Sequence, residues 1–358
     1  MQSAPAPTGY RTPEHRAERV AEIVERIRRA DQVVLATHIN ADGDGAGCQA
    51  ALAHWLDREG VRTWILNPTP YPDLYKFLLP RRTQVIPASA PQAEGVCYQA
   101  DLGIVVDTSD KGRLGRVKPL LDTVPKVVID HHPETRKPID GLMLLDPEAA
   151  AAGELIYDLL LAGADRITRE MAEALYVAVL TDTGSFRFSN ATAACFRMAG
   201  DLVEGGAQPD VLYRRIYGSP PVRCYYLLRA ALGTLEVDED AGVGWMTVPP
   251  EEYRRLEAGP ADLEGFVDYP RSIQGVDVGI LLRELDDGGV KVSFRSNEHV
   301  DVNELARRFG GGGHERAAGA VLDGSLPEVR ERVVREAIQA ARAQQASRDP
   351  ALESGGDG

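Results

Sequence analysis

Nowhere in the 358 residues do two cysteines stand as a Cys-x-x-Cys pair, and only four are present: Cys48, Cys97, Cys195 and Cys224. Their wide spacing excludes a disulfide framework and a thiolate zinc site. No apolar run approaches the roughly 18 residues of a membrane span, and the first twenty residues lack the apolar core of a secretory signal. No membrane partner is therefore expected, and a reducing cytoplasm is. Basic charge is also short, with 40 Lys and Arg against 54 Asp and Glu, a net charge of −14. That balance argues against a broad basic surface that coats long nucleic acid, since such binding scales with the phosphates neutralised. It leaves room for a short nucleotide in a local pocket, and bound divalent cations would offset part of the negative charge.

What the chain does contain is an α/β pattern long enough for two domains. Residues 1–13, rich in Pro, Ala, Ser and Thr, and residues 345–358 read as disordered tails. Residues 14–205 read as one domain. An amphipathic helix over about 14–29 leads into the strand QVVLATH, a glycine turn opens a helix over about 45–59, and the strand VRTWILN follows. Two further apolar runs end at Asp107 and at Asp130, His131 and His132. Short β-rich runs separated by helices indicate a doubly wound parallel sheet, in which ligands bind at the carboxyl ends of strands. Residues 206–229 read as a helical linker and 230–344 as a smaller α+β domain.

The stretch THINADGDGAG, residues 37–47, places His38, Asp42 and Asp44 in one glycine-rich turn. Carboxylates that close repel unless positive charge lies between them. Asp42 and Asp44 can serve two neighbouring ions while His38 supplies nitrogen. Asp107 has the chemistry to bridge both ions, and His131 and Asp182 can complete the two shells. Mixed oxygen and imidazole donors suit two manganese ions, with magnesium or cobalt as substitutes, rather than structural zinc. Two ions about 3.5–4 Å apart can share a water, lower its pKa and align it with phosphorus. Each motif alone has a plain use, as a helix cap, a solvated pair of histidines or a helix end. Their joint occurrence at strand ends is what points to phosphoester hydrolysis.

Two further segments carry donors for phosphate. In DTSDKGRLG, Arg113 is either a phosphate-binding fork or a solvated loop residue beside Lys111 and Arg116. In residues 293–320, four glycines, Gly310, Gly311, Gly312 and Gly313, follow the helix VNELARRF, where one would suffice as a cap. Such a run either extends the cap flexibly or lets backbone amides approach an anion. Arg295, Ser296 and His314 would then place donors around a terminal phosphate or a base edge. The following AAG is expected to allow close packing of a helix.

Taken in order, His-x3-Asp-x-Asp, the run ending at Asp107, Asp-His-His and TDTG-F-F resemble the DHH phosphoesterase family, which includes RecJ-type exonucleases and family II pyrophosphatases. The segment SFRS…GGGGH…AAG resembles its DHHA1 domain, in the arrangement of the nanoRNase subgroup. The resemblance runs from about residue 17 to 344 and implies a DHH domain, a linker and a DHHA1 domain. It implies that His38, Asp42 and Asp182 hold one manganese and Asp44 and His131 the other, with Asp107 between them. His132 would face the substrate phosphate, oriented by Asp130. The implied activity is hydrolysis of short RNA or DNA to mononucleotides, extending to 3'-phosphoadenosine 5'-phosphate, with Asp107, His132 and Arg113 catalytic. A cyclic dinucleotide phosphodiesterase would use the same ligands. A processive exonuclease fits the acidic chain poorly, and a non-catalytic nucleotide-binding regulator fits the complete ligand set poorly. A homodimer, if formed, is expected to use the helical middle segment.

Overall fold

The run QVVLA forms strand β1, and Val33, Val34, Leu35 and Ala36 are all fully buried. Burial on both faces is what a central parallel strand requires. The structure is a computed structural model that describes residues 9–218, 220–285, 288–297 and 300–346. It divides into two units, residues 1–219 and 220–358.

In the first unit, α1 (Glu14–Arg28) precedes β1 (Gln32–Ala36), α2 (Gly43–Arg58), β2 (Arg62–Asn67), β3 (Gln84–Pro87) and α3 (Ala93–Gln99). Then come β4 (Leu102–Val106), α4 (Lys118–Leu121), β5 (Lys126–Asp130) and β6 (Leu142–Leu145). Four helices close the unit: α5 (Ala152–Gly163), α6 (Arg169–Asp182), α7 (Ala193–Glu204) and α8 (Pro209–Ile216). The sheet is parallel throughout, in the order β3-β2-β1-β4-β5-β6. Its order reverses between β1 and β4, and this switch point is where such sheets open a crevice for ligands. The doubly wound expectation holds, while the short strands β3 and β6 were not read from the sequence.

One face of the sheet carries α1, α2, α5 and α6, and the other carries α3 and α4. Helices α2 and α6 press closely together at Gly47, where a Cβ would come within 2.5 Å of the Ala174 carbonyl oxygen and 2.9 Å of the Ala178 Cβ.

The second unit contains α9 (Val222–Leu232), β7 (Glu236–Asp238), β8 (Val243–Val248), α10 (Pro250–Arg255), α11 (Asp268–Arg271) and β9 (Val278–Glu284). It continues with β10 (Gly289–Ser296), α12 (Val302–Arg308), β11 (Gly312–His314), β12 (Ala317–Asp323) and α13 (Leu326–Ala346). The sheet order is β11-β12-β10-β9-β8-β7, with β8 and β9 parallel and the other pairs antiparallel. Helices α12 and α13 bury Val292 and Phe294 on one face, and α9 packs with Met246 and Leu281 on the other.

Two stretches differ from the sequence reading. Tyr10, placed in the amino-terminal tail, is 7% exposed and its backbone N–H donates to Asp201 Oδ2 at 2.9 Å. Residues 1–8 and 347–358 of the expected tails lie outside the described residues. The stretch 206–229, read as a helical linker, holds α8 and most of α9, and its helices are packed: Leu212 of α8 joins the core of the first unit, and Leu227 of α9 joins the second. Among the described residues no helix is long and apolar enough to cross a membrane.

At Gly47 an alanine would gain up to about 1 kcal/mol of helix propensity, but overpacking a core typically costs about 1–3 kcal/mol. A backbone carbonyl cannot step aside as a side chain can, so the clash decides the sign. Gly47→Ala is expected to lower the thermal midpoint of the protein in a circular dichroism melt, and an unchanged or raised midpoint would contradict this packing.

Candidate metal centre

Four strands and helices end at one place. His38 follows β1 and Asp107 follows β4, on the two sides of the switch point, while His131 and His132 follow β5. Asp42 caps α2, its Oδ1 accepting from Asp44 N at 3.1 Å and Gly45 N at 3.2 Å. Asp182 is the last residue of α6. Gly45 has to be glycine, because a Cβ there would lie 2.6 Å from Thr37 Oγ1 and 3.4 Å from Asp107 Oδ2. Asp107 itself has φ +59°, a left-handed conformation that aspartate tolerates better than most residues.

The carboxylate of Asp107 faces two clusters with its two oxygens. Oδ2 lies 3.1 Å from His38 Nε2, and that nitrogen is 3.8 Å from Asp42 Oδ2. Oδ1 lies 3.8 Å from His131 Nε2 and 3.6 Å from His132 Nδ1. Asp44 Oδ2 and Asp182 Oδ2 approach the same His131 nitrogen to 3.8 and 3.6 Å. The donor atoms therefore form three overlapping groups: His38, Asp42 and Asp107; Asp44, His131 and Asp182; and Asp107, His131 and His132. In this grouping Asp182 lies with Asp44 and His131, where the resemblance implied that it shares an ion with His38 and Asp42, because α6 ends on the side of the pocket where α5 begins.

These residues fit divalent cations. His131 Nδ1 lies 3.4 Å from the carbonyl of Ala149, which can only accept, so Nδ1 carries a proton and Nε2 is the atom turned toward the carboxylates. That Nε2 is buried and has no hydrogen-bond partner among the described residues. His38 is oriented in the same way by the Ile39 carbonyl, 2.8 Å from Nδ1. Where no cation is bound, a proton answers the same charge. Burial lowers the His38 pKa, but hydrogen bonds to Asp107 and Asp42 outweigh it and raise the pKa to about 10. Burial and the neighbouring Asp107, Asp182 and Asp42 charges push Asp44 well above the usual carboxylate range. Burial and the Asp107 and Asp42 charges, partly offset by His131, push Asp182 up to about 6.

A backbone segment that the sequence reading passed over orients three of the ligands. Asp44, 1% exposed, accepts from Ala152 N at 2.7 Å and Gly153 N at 2.9 Å. It thereby caps α5, whose own N-cap Ala151 has no side-chain oxygen. Ala149 holds His131 through its carbonyl. The Ala150 carbonyl accepts from Asn190 Nδ2 at 2.8 Å, and the same amide reaches the Asp182 carbonyl at 3.2 Å and Asp182 Oδ2 at 3.4 Å. The available signal was a helix preceded by alanines where a capping residue belongs.

His132 lies between Asp130 and Arg113. Its Nδ1 is 2.7 Å from Asp130 Oδ1 and its Nε2 is 3.2 Å from Arg113 Nη1. Arginine only donates, so Nε2 accepts and the Nδ1 proton goes to Asp130. Burial opposes charge on His132, yet Asp130 and Asp107 together raise its pKa. Arg113 is thus brought into the centre rather than left in solvent.

The family model for the "DHH family, N-terminal domain" matches residues 32–179, and that for the "DHHA1 domain" matches residues 252–344. The chain belongs to the DHH family. It is 31% identical over 322 residues to the bifunctional oligoribonuclease and PAP phosphatase NrnA of Thermus thermophilus, covering 89% of this chain and 92% of that one. Identity to the protein of the same name in Bacillus subtilis is 26% over 305 residues, covering 84% and 92%. An exopolyphosphatase-related protein from Bacteroides fragilis superposes with a TM-score of 0.84 at 26% identity, covering 91% of this chain and 98% of that one. RecJ of Thermus thermophilus, solved in complex with Mn2+, shares the fold at a TM-score of 0.57 and 15% identity, covering 94% and 56%. As a DHH-family member the chain is a hydrolase of nucleotide phosphoester bonds.

The expected substrate residues of the DHHA1 unit are not all brought together. Arg295 and Ser296 are consecutive in β10 and so point to opposite faces. Ser296 is 2% exposed, which removes it from any open pocket. Register places Arg295 opposite Ala317, which in turn pairs with His314 of β11. The four glycines have structural duties. Gly310, at φ +73°, ends α12, and a Cβ on Gly311 would collide with the Gly319 carbonyl. Gly312 and Gly313 pair with Gly319 and Ala318 of β12, so AAG lies in a strand rather than packing a helix.

Two measurements probe this centre. Asp44→Asn keeps an acceptor for α5 and removes a buried charge. At pH 8 without divalent cation it is expected to raise the melting temperature by about 2–4 °C per kcal/mol of repulsion relieved. A variant that melts lower would show that the cap outweighs the repulsion. Asn190→Ala is expected to weaken divalent-cation binding in a calorimetric titration by about 10–100-fold, the scale of losing a group that orients a ligand. Unchanged affinity would reduce Asn190 to packing.

Proposed function

We propose that this DHH-family chain is a manganese-dependent phosphodiesterase that releases mononucleotides from short RNA or DNA and also hydrolyses 3'-phosphoadenosine 5'-phosphate. The observation that carries the reading is Asp107, whose two carboxylate oxygens face separate histidine and aspartate clusters. The substrate class follows from the NrnA relatives, which are similar over most of the chain. His38, Asp42 and Asp107 would hold one ion, and Asp44, His131, Asp182 and Asp107 the other. All donors are oxygen or imidazole nitrogen, which suits manganese. When bound, the ions supply a water of lowered pKa and neutralise phosphate charge.

The chain's own groups do the rest. Arg113 presents donors to a phosphate oxygen, His132 adds one when its Nε2 takes up a proton, a state that Asp130 favours, and Asp130 keeps the His132 ring in place. Buried Asp44, held by two backbone N–H groups, keeps its geometry whether or not substrate is present. Arg295 in the DHHA1 unit is the substrate contact retained from the expected set. The ligand set is complete, which favours turnover over a purely regulatory nucleotide-binding role.

The test is a panel of initial rates with manganese on a dinucleotide, a 24-residue RNA, 3'-phosphoadenosine 5'-phosphate and a cyclic di-adenosine nucleotide. The dinucleotide is expected to be fastest, and fastest turnover of the cyclic substrate would replace the reading with a cyclic dinucleotide phosphodiesterase. Asp107→Asn, which tolerates the left-handed backbone, is expected to lower kcat by about 10³-fold or more, the equivalent of losing about 4 kcal/mol of stabilisation. Undiminished turnover would sink the assignment of Asp107.

A further inference from the structure

The backbone of residues 149–153, which faces His131, Asp44 and Asp182, is itself held from the side of α1. Arg16 of α1 is 3% exposed and meets three carboxylates that are buried with it. Its Nε donates to Asp146 Oδ2, and its Nη1 donates to Glu154 Oε1 at 2.8 Å and to Asp158 Oδ2 at 3.1 Å. Tyr10 closes the group. Its hydroxyl donates to Glu154 Oε1 at 3.2 Å and accepts from Arg16 Nη1 at 3.3 Å, while its ring meets Tyr157 edge-on. His15, on the solvent side, reaches Asp146 Oδ2 at 2.6 Å. Every member of this cluster belongs to the first unit.

Stability is a weak reason for such a cluster, because charges are costly to take out of water and buried ion groups can often be replaced by apolar residues without loss. Joining α1 to α5 needs one carboxylate, and Asp158 is placed for that. The other two reach further. Glu154 turns its second oxygen, Oε2, onto the N–H of Ala150 at 3.0 Å. Asp146 turns Oδ1 onto the N–H of Glu148 at 2.9 Å, and its backbone carbonyl accepts from Ala149 N at 3.1 Å. Asp146 follows β6 and Glu154 lies in the first turn of α5, so Arg16 grips both ends of the segment between them. That segment aims the Ala149 carbonyl at His131, the Ala150 carbonyl at the Asn190 amide beside Asp182, and the Ala152 and Gly153 N–H groups at Asp44. Four alanines and a glycine in a row have no polar side chain with which to anchor their own backbone. Their anchor has to come from outside.

We propose that Arg16 is a positioning residue of the metal centre, acting through Glu154 and Asp146 to fix residues 146–154 and, with them, His131, Asp44 and Asp182. The proposal rests on the metal-centre reading above and deepens it, giving α1, which supplies none of the ligands, a part in cation affinity. Charge and position act in opposite senses at this residue. A guanidinium near the centre repels a divalent cation, so loss of its charge alone would tighten binding. Loss of its grip would weaken binding, because the carbonyls and amides of the segment would no longer be aimed at the ligands.

The experiment is a calorimetric titration of the full-length protein, stripped of metal by a chelator, with manganese chloride well below the melting temperature of each variant. Arg16→Met and Arg16→Lys are each expected to weaken binding about tenfold, the lower end of the loss when a group that orients a ligand is removed. Lysine keeps the charge, but one ammonium cannot span Asp146 and Glu154 as the planar fork does. The lysine variant also keeps the test open if Arg16→Met does not fold. Glu154→Gln should weaken binding to a similar degree, because one of its two accepting oxygens becomes an amide. Combined with Arg16→Lys, it should fall well short of the product of the two single effects, since both changes break the same chain of contacts. A residue that only tied α1 to α5 would lower the melting temperature in circular dichroism and leave the manganese affinity of the folded protein at its wild-type value. That result would overturn the proposal. Tighter binding by Arg16→Met would also overturn it, reducing Arg16 to a charge acting through space, as would single effects that multiply in the double variant. Absence of manganese binding by the wild type would instead overturn the metal-centre reading.

Discussion

Four carboxylates, Asp42, Asp44, Asp107 and Asp182, converge on two imidazoles in one largely buried pocket, and their mutual repulsion is the constraint on which the rest of the centre depends. Buried like charges have two ways out, proton uptake or cation binding. The raised pKa values of His38 and Asp182 describe the first. The His131 Nε2, buried without a hydrogen-bond partner among the described residues and facing three carboxylates, prepares the second. The same arrangement thus stores protons when empty and releases them as metal enters, so metal affinity and pH are linked by construction.

Rigidity comes from backbone rather than from further side chains. The five residues from Ala149 to Gly153 hold His131 through a carbonyl, Asp44 through two amides and Asp182 through Asn190. Small side chains are what let this segment lie against α2 and α6: a Cβ on Gly153 would sit 2.8 Å from the Ala178 Cβ. Chemistry in the first unit is therefore carried by a few polar residues at strand and helix ends, and the positions of Asp44 and His131 by residues with no polar side chain at all.

That division explains what was legible in the sequence. The strand ends and the ligand types could be read, because Asp107 directly follows a run of apolar residues, and His38 and His131 stand one residue beyond such runs, whose burial is nearly forced. The division of ligands between the two ions could not, since it depends on where α6 ends relative to α5. Ala149 to Gly153 escaped notice because backbone hydrogen bonds leave no residue-type signature. Ser296 was a different kind of miss: the period of a strand already separates it from Arg295. Arg16 was invisible for another reason, standing 130 residues or more from the carboxylates that it meets only through the packing of α1. The steric duties of the glycine run were not read from the sequence, because a cap, a close strand contact and an edge strand each demand glycine for reasons of fold alone.

The capping of α5 by Asp44 has an evolutionary consequence. A lineage relieved of selection for hydrolysis can lose Asp182 with little effect on the scaffold, because it is the last residue of α6 and caps no helix N-terminus. Asp44 is different, since its replacement by an apolar residue leaves two buried N–H groups without acceptors at the start of a helix packed in the core. Inactive descendants of this fold would therefore tend to retain that aspartate as a structural relic after its neighbours have drifted.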